Sequence, residues 1–277
     1  MLRIALLIEY DGTNYHGWQR QKNSDLSTIQ QKLEAAISQV ADHRVTTVCA
    51  GRTDAKVHAS GQIVHFDTMA QRTIDSWVCG TNSYLPQDIR VLSAQEVPTV
   101  FNARKSALFR TYHYFIYNSK IKPSLFRNYV TWQYKNLNID LMQAASTYWL
   151  GEHDFSSFRG KDCQSKTAIR RVYEIKCERQ KKLIKISITA NAFLKHMVRN
   201  MVGVLIKIGQ DSCNTNTCDI SDTNSRNNTQ LAKEILMAKN RIAASITAPP
   251  EGLYLVTVGY PDNFNIKQNT DSLLFLF

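Results

Sequence analysis

Residues 2–9 read LRIALLIE, a short apolar run ended by Asp11-Gly12, as a buried strand is. The order of segments that follows constrains the fold more than any single residue. Residues 28–41 place Ile29, Leu33, Ala36, Ile37 and Val40 on one helical face, with Ser27 or Thr28 available as the cap. Residues 45–50 and 62–67 read as strands and 73–84 as a helix. A strand over 89–97 is bounded by Pro86 and Pro98. This is the strand–helix–strand–strand–helix–strand order of a ferredoxin-like unit.

The order recurs in the second half without obvious sequence identity. Residues 109–117 form an aromatic, period-two strand, and 138–150 a helix through Ile139, Met142, Ala145 and Trp149. Strands over 169–178 and 183–190 are joined by the polar turn Gln180-Lys181-Lys182. An amphipathic helix over 193–208 and a last strand over 252–259 complete the series. Residues 211–229, rich in Asn, Ser, Thr and Asp, read as a surface insertion or disordered loop, with a helix near 230–240. The expectation is an α/β (α+β) protein of two ferredoxin-like lobes, 1–105 and 106–277. Its sheets are mainly antiparallel, and a ligand cleft lies between the lobes.

A hydrophobic fraction of 43% supports a real core, and the net charge of +11 favours a polyanion, either nucleic acid or an anionic membrane surface. The excess is local. Residues 106–210 carry eighteen basic and six acidic side chains, ten and three of them between Arg159 and Lys185. No stretch approaches the roughly 18 apolar residues of a membrane span, and the N-terminal run is too short for a signal peptide. A soluble, unexported, cytoplasmic protein is expected. The six cysteines form no CxxC and the histidines fall at no metal-ligand spacing, so no metal site is expected.

The chemistry concentrates in Ala50-Gly51-Arg52-Thr53-Asp54-Ala55-Lys56-Val57-His58-Ala59, between two expected strands. An Asp flanked by Thr and small residues is first of all a turn former. Here Arg52 lies two residues away, and a guanidinium keeps a neighbouring carboxylate ionised. An ionised carboxylate on a loop can serve as a nucleophile.

This decapeptide resembles the GRTDAGVHA signature of the tRNA pseudouridine synthase A family. The resemblance runs nearly end to end. It takes in Glu9-Tyr10-Asp11-Gly12, Gly17-Trp18-Gln19-Arg20-Gln21, residues 62–66, 101–104 and 112–118, and Asp154-Phe155-Ser156-Ser157-Phe158. It continues through Ala190-Asn191-Ala192-Phe193, residues 197–203 and 248–254. The resemblance implies isomerisation of uridine to pseudouridine at positions 38, 39 and 40 in the anticodon arm of tRNA. It implies no cofactor, no metal and a homodimer.

It also implies roles. Asp54 is the nucleophile, its adduct at the sugar or at C6 of the base. Arg52 fills the stack left by the flipped uridine and holds phosphate. Tyr112 stacks on the flipped base and assists proton removal from C5, whereas Tyr114 and Tyr117 read as core aromatics. Arg199 pairs with the Asp54 carboxylate and, on the expected helix, shares a face with Lys195 and Val202. Arg72, the segment Phe101, Asn102, Ala103, Arg104 and Lys105, and the segment Asp162, Cys163, Gln164, Ser165 and Lys166 align with tRNA-contacting positions. Lys56 replaces the usual glycine, so the backbone there is either ordinary or strained. A non-catalytic RNA-binding protein with RRM-like lobes is the rival reading, but 109–117 lacks the glycine spacing of that motif. A DNA-binding factor lacks a helix-turn-helix or zinc signature.

Overall fold

The computed structural model of the chain describes residues 1–21, 26–211, 223–244 and 246–267. Its elements run β1 (Leu2–Tyr10), α1 (Ile29–Ala41), β2 (Val48–Cys49), β3 (His58–Thr68), α2 (Thr81–Tyr84), β4 (Ile89–Val97), β5 (Phe109–Asn118), β6 (Thr131–Gln133), α3 (Ile139–Ser146), β7 (Gly151–Asp154), β8 (Ile169–Gln180), β9 (Leu183–Ala190), α4 (Met197–Asp211), α5 (Thr223–Ala238) and β10 (Leu253–Gly259). They form two compact units, one of Met1–Arg110 with the described residues from Tyr254 to 267, the other of the described residues of Thr111–Leu253. A linear division after residue 105 leaves β10 with the second lobe; its ladder to β3 joins it to the first.

In the first unit β3 is central and almost wholly buried. One edge pairs antiparallel with β1, from Leu2↔Thr68 to Ile8↔Gln62, and β1 pairs antiparallel with β4. The other edge takes β2 antiparallel at Val48↔His65 and β10 parallel at Tyr254↔His58. The strand expected over 45–50 shrinks to two residues because α1 side chains take its donors. Val45 N–H bonds Ser38 Oγ at 3.0 Å, and Thr47 N–H bonds Glu34 Oε1 at 2.8 Å. Glu34 thus lies buried beside Leu33 and Ile37, its charge met by donors from Thr47 and Gln30. Thr28 caps α1 through Gln31 N–H, and Asp42 ends it at φ 57°. The helix expected over 73–84 forms with a π-helical turn, Ser76–Gly80, ahead of α2. Its Trp77 packs edge-on against Phe66, ring centres 5.2 Å apart.

The second unit orders its strands β5-β9-β8-β7, with β6 parallel to β5 and the β8–β9 and β7–β8 pairs antiparallel. α3 packs on β8, α4 and α5. The chain order β5-α3-β8-β9-α4 repeats that of the first unit. β6 and β7 are too short to show a period in sequence. The helix expected from 193 starts only at Met197, because His196 adopts φ 61° and Gly160 N–H holds Lys195 O at 2.8 Å. Lys195 therefore lies outside α4 and shares no helical face with Arg199 and Val202. Most of the polar stretch expected over 211–229 lies outside the described residues. At its ends α4 extends through Asp211 and α5 begins at Thr223, so 223–229 is helical rather than a loop.

Two histidines are held neutral. Burial, then the nearby Arg3, pushes His65 down to about 4, against a smaller opposing pull from Asp67. Burial, then Lys185, pushes His113 down to about 4. The unfolded chain protonates both near pH 6.5. Their contribution to stability is complete above that pH and is lost as pH falls toward 4, because the unfolded state binds the protons that the folded state refuses. The melting temperature is expected to drop between pH 7 and pH 5. The drop should be smaller in His65→Gln, which keeps an acceptor but cannot titrate; equal drops in both proteins would place the acid sensitivity elsewhere.

Candidate active site

Residues 50–57 lead into β3 as a turn whose tip is held by main chain and whose root is held by side chains as well. Asp54, half-buried, opens a four-residue turn closed by Val57 N–H to Asp54 O at 3.2 Å. Trp18 N–H bonds Thr53 O at 3.0 Å, and Lys56 N–H bonds Tyr15 O at 3.1 Å. Thr53 is buried, its hydroxyl 2.8 Å from that of Tyr10. Below the turn the fully buried Gln62 amide clamps Gly51, donating to its O at 2.6 Å and accepting from its N–H at 3.3 Å. At the far end His58 Nδ1 accepts Gly12 N–H at 3.1 Å, and the ring stacks on Tyr254 with centres 4.6 Å apart. The same nitrogen lies 3.1 Å from Asp11 Oδ1.

Two glycines let the 12–18 segment approach so closely. Gly17 sits at φ 91°, where a Cβ would lie 2.8 Å from Thr53 O and 3.1 Å from Ala55 N. A Cβ on Gly12 would lie 2.1 Å from Val57 O. Lys56 occupies the third position of the turn with φ 63°, the angle for which type II turns favour glycine. The backbone at Lys56 is thus strained. Arg52 is exposed beside the half-buried Asp54. The turn therefore offers a carboxylate on a fixed main chain, with a cation reaching solvent next to it.

Arg52, Asp54, Arg72 and 101–105 belong to the first unit; Tyr112, Arg199 and 162–166 belong to the second. Arg72 is exposed and donates to Val40 O near the end of α1. In the 101–105 segment Phe101 and Ala103 are completely buried, while Arg104 and Lys105 are exposed. Asn102 Oδ1 accepts both the Arg104 and Lys105 N–H groups, which curls the segment and presents those two cations. Tyr112 is buried and packs edge-on against Phe193, ring centres 5.0 Å apart. Tyr114, with no exposed surface, bonds Thr131 and Pro249 O and is a core residue, as expected. Arg199 is half-buried; its Nε donates to Ala248 O at 2.8 Å while Ala248 N–H returns to Arg199 O. Asn200 beside it, fully buried, ties α4 to Phe158 O and accepts from Arg241 and Thr247.

The basic stretch divides in three. Arg159 and Arg170 turn inward onto main-chain carbonyls, whereas Arg179 bonds Leu137 O while remaining exposed. Arg171 meets Glu152, and Lys176 and Lys185 both meet Glu178. Lys161, Lys166, Lys181 and Lys182 are exposed. Cys163 receives the Lys195 N–H at 3.5 Å. Burial raises its thiol, but main-chain donors at Lys195 and Ser165 and the Arg159 side chain outweigh that and hold it below the usual range. Among the described residues no group of three or more His, Cys, Asp or Glu side chains is placed to hold a metal ion, and no helix is long and apolar enough to cross a membrane.

A family model described as tRNA pseudouridine synthase matches residues 6–104 and 144–261, which span the Asp54 turn, 162–166, α4 and β10. This chain belongs to the tRNA pseudouridine synthase A family. A tRNA pseudouridine synthase A of Legionella pneumophila (strain Lens) is 47% identical over 276 residues, covering 100% of this chain and 99% of the relative. That of Coxiella burnetii (strain Dugway 5J108-111) is 47% identical over 268 residues, covering 97% of each. A solved archaeal box H/ACA sRNP Nop10-Cbf5 complex contains a chain that aligns at TM-score 0.32 and 9% identity, over 74% of this chain and 54% of that one; the likeness is too distant to bear on the site.

The candidate contact residues expected from the sequence did not include Gln62, Asn200 and the inward arginines, which hold the main chain of the site. Gln62 and Asn200 were marked only by membership of the matched motifs, and the arginines only by the local charge excess. In urea unfolding, Gly17→Ala is expected to lose roughly 1–3 kcal/mol, because no L side chain fits that angle and gap. Lys56→Gly is expected to gain up to about 1 kcal/mol, the left-handed cost removed less the entropy glycine adds to the unfolded chain. A stable Gly17→Ala protein would show that the close approach is not required.

Proposed function

We propose that this synthase converts uridine to pseudouridine at positions 38, 39 and 40 in the anticodon arm of tRNA, with Asp54 as nucleophile. The reaction breaks the bond from uracil N1 to ribose C1′, turns the base, and joins C5 to C1′; the C5 proton then leaves to solvent and the freed N1 takes up a proton in its place. Product and substrate have the same atoms, so no external reactant enters the balance. The carboxylate holds one half while the other turns. The observation that carries this reading is the Asp54 turn, a half-exposed carboxylate on a main chain locked from both sides. Such fixing keeps the nucleophile aligned when the base arrives.

The remaining roles follow from what the substrate demands. A stacked uridine must be flipped out, at a few kcal/mol. Arg52, exposed beside the turn, fills the vacated stack and holds phosphate. Tyr112 stacks on the flipped base and assists loss of the C5 proton, and Arg199 pairs with Asp54. Arg104 and Lys105, with Arg72 and the 162–166 segment, meet the tRNA backbone. Two copies of the chain hold one tRNA, which light scattering on the purified protein, alone and with tRNA, would test.

Asp54→Asn is expected to abolish tritium release from uracil-labelled tRNA while tRNA still binds; full activity would remove Asp54 from the nucleophile role. Charge has its own test. Replacing the exposed Lys161, Lys166, Lys181 and Lys182 by Gln should lower the slope of log affinity against log salt by roughly one for each phosphate that no longer meets a lysine. Replacing Lys185, already paired with Glu178, should change it less. A slope unmoved by the four exposed lysines would place the tRNA on another face.

A further inference from the structure

The expected roles leave Arg110 without one. It stands on β5, at the end of the first unit, and is 8% exposed, so its guanidinium cannot reach a phosphate in solvent. One terminal nitrogen, Nη2, donates both to Ala50 O at 3.0 Å and to Arg104 O at 2.7 Å. The other, Nη1, donates to Ala107 O at 3.2 Å. Ala50 is the root of the turn that carries Asp54. Arg104 belongs to the segment with two outward cations. One planar, permanently charged group therefore spans two loops that lie more than fifty residues apart in sequence.

The rest of the segment is as firmly held. His65 Nδ1 accepts Ala103 N–H at 3.1 Å, and Tyr260 donates its hydroxyl to Ala103 O at 2.6 Å. Phe101 packs against His65 and Tyr260. Ala50 in turn reaches β3 through its N–H to Ile63 O at 2.8 Å. Arg110 connects this anchored segment to the root of the Asp54 turn. A lysine there would keep the charge, but its single nitrogen on a shorter side chain would not hold Ala50 O, Arg104 O and Ala107 O together, as the two terminal nitrogens of Arg110 do.

We propose that Arg110 is a positioning residue for the isomerisation, setting the register between the Asp54 turn and the Arg104–Lys105 segment. The proposal rests on the reading of Asp54 as nucleophile and of that segment as a tRNA contact. A tRNA gripped by Arg104 and Lys105 then delivers its uridine to a carboxylate at a fixed offset. Loosening the bridge lets the two loops shift, and chemistry suffers more than grip.

The test measures single-turnover pseudouridine formation, tRNA affinity and its salt slope for Arg110→Lys and Arg110→Gln, with Asp54→Asn in the same series. Arg110→Lys is expected to form pseudouridine 10- to 100-fold more slowly while binding tRNA within about threefold of the parent and with an unchanged salt slope. Hydrogen exchange should quicken at residues 50–57 and 101–107 and stay slow in the β1–β3 ladder. A parental rate in both folded variants would overturn the proposal. So would an affinity drop as large as the rate drop, which would make Arg110 a tRNA contact, or exchange quickened throughout the unit, which would make it a general stabiliser. If neither variant folds, Arg110 is a core residue and the proposal falls. Activity retained by Asp54→Asn would instead remove the nucleophile reading, whatever Arg110 shows.

Discussion

Everything expected of the Asp54 turn depends on main chain meeting main chain without an intervening side chain. At Gly17 the gap to Thr53 O has no room for a methyl group, and at Gly12 the gap to Val57 O has still less. An approach this close lets Trp18 N–H and Tyr15 O reach the turn from the neighbouring segment. The turn buries little apolar surface of its own; Thr53 and Val57 point inward while Arg52, Ala55 and Lys56 stay exposed. Hydrogen bonds therefore fix its shape, and the carboxylate is held by geometry rather than by packing. The strained backbone at Lys56 fits this account. A neighbourhood that over-determines a turn can carry a residue in an unfavourable angle.

The same economy of side chains governs the arginines. A guanidinium has five donors in a plane, so it can satisfy several carbonyls that no helix or ladder reaches. Arg110, Arg159 and Arg170 each meet two or more main-chain carbonyls in this way. Net charge thus overstates the cationic surface available to a polyanion. Of the ten basic residues between Arg159 and Lys185, the inward arginines close loops and the carboxylate-paired residues are partly neutralised. Exposed lysines remain, and because Lys181 and Lys182 stand at the tip of the β8–β9 hairpin, they sit where a backbone phosphate can approach.

Much of the fold was legible because most elements are long enough to show a period. β1, α1, β4, β8 and β9 lie within a few residues of their expected places. The departures share one cause: side chains and backbone angles that act across sequence distance. The 45–50 strand gave up its ladder to Ser38 and Glu34, and α4 gave up its first turn to the left-handed His196. β6 and β7 were too short to be seen. In the site the turn and its acidic and basic residues were legible as a motif. Phe101 and Ala103 read as contact residues beside Arg104 and Lys105, because a linear motif does not reveal which of its side chains are buried.

The sequence by itself determined the family, the chemistry expected of Asp54 and the location of the charge excess, since these reside in residue identity and spacing. Only the tertiary structure decided how the turn is held, which cations face solvent and what backbone angle Lys56 takes. Each of these depends on a close approach between segments far apart in the chain. Gly17 against Thr53, Gln62 against Gly51 and Arg110 against Ala50 and Arg104 are contacts that no local pattern records, because the partners are far apart or on separate elements in the chain and only the folded arrangement brings them together.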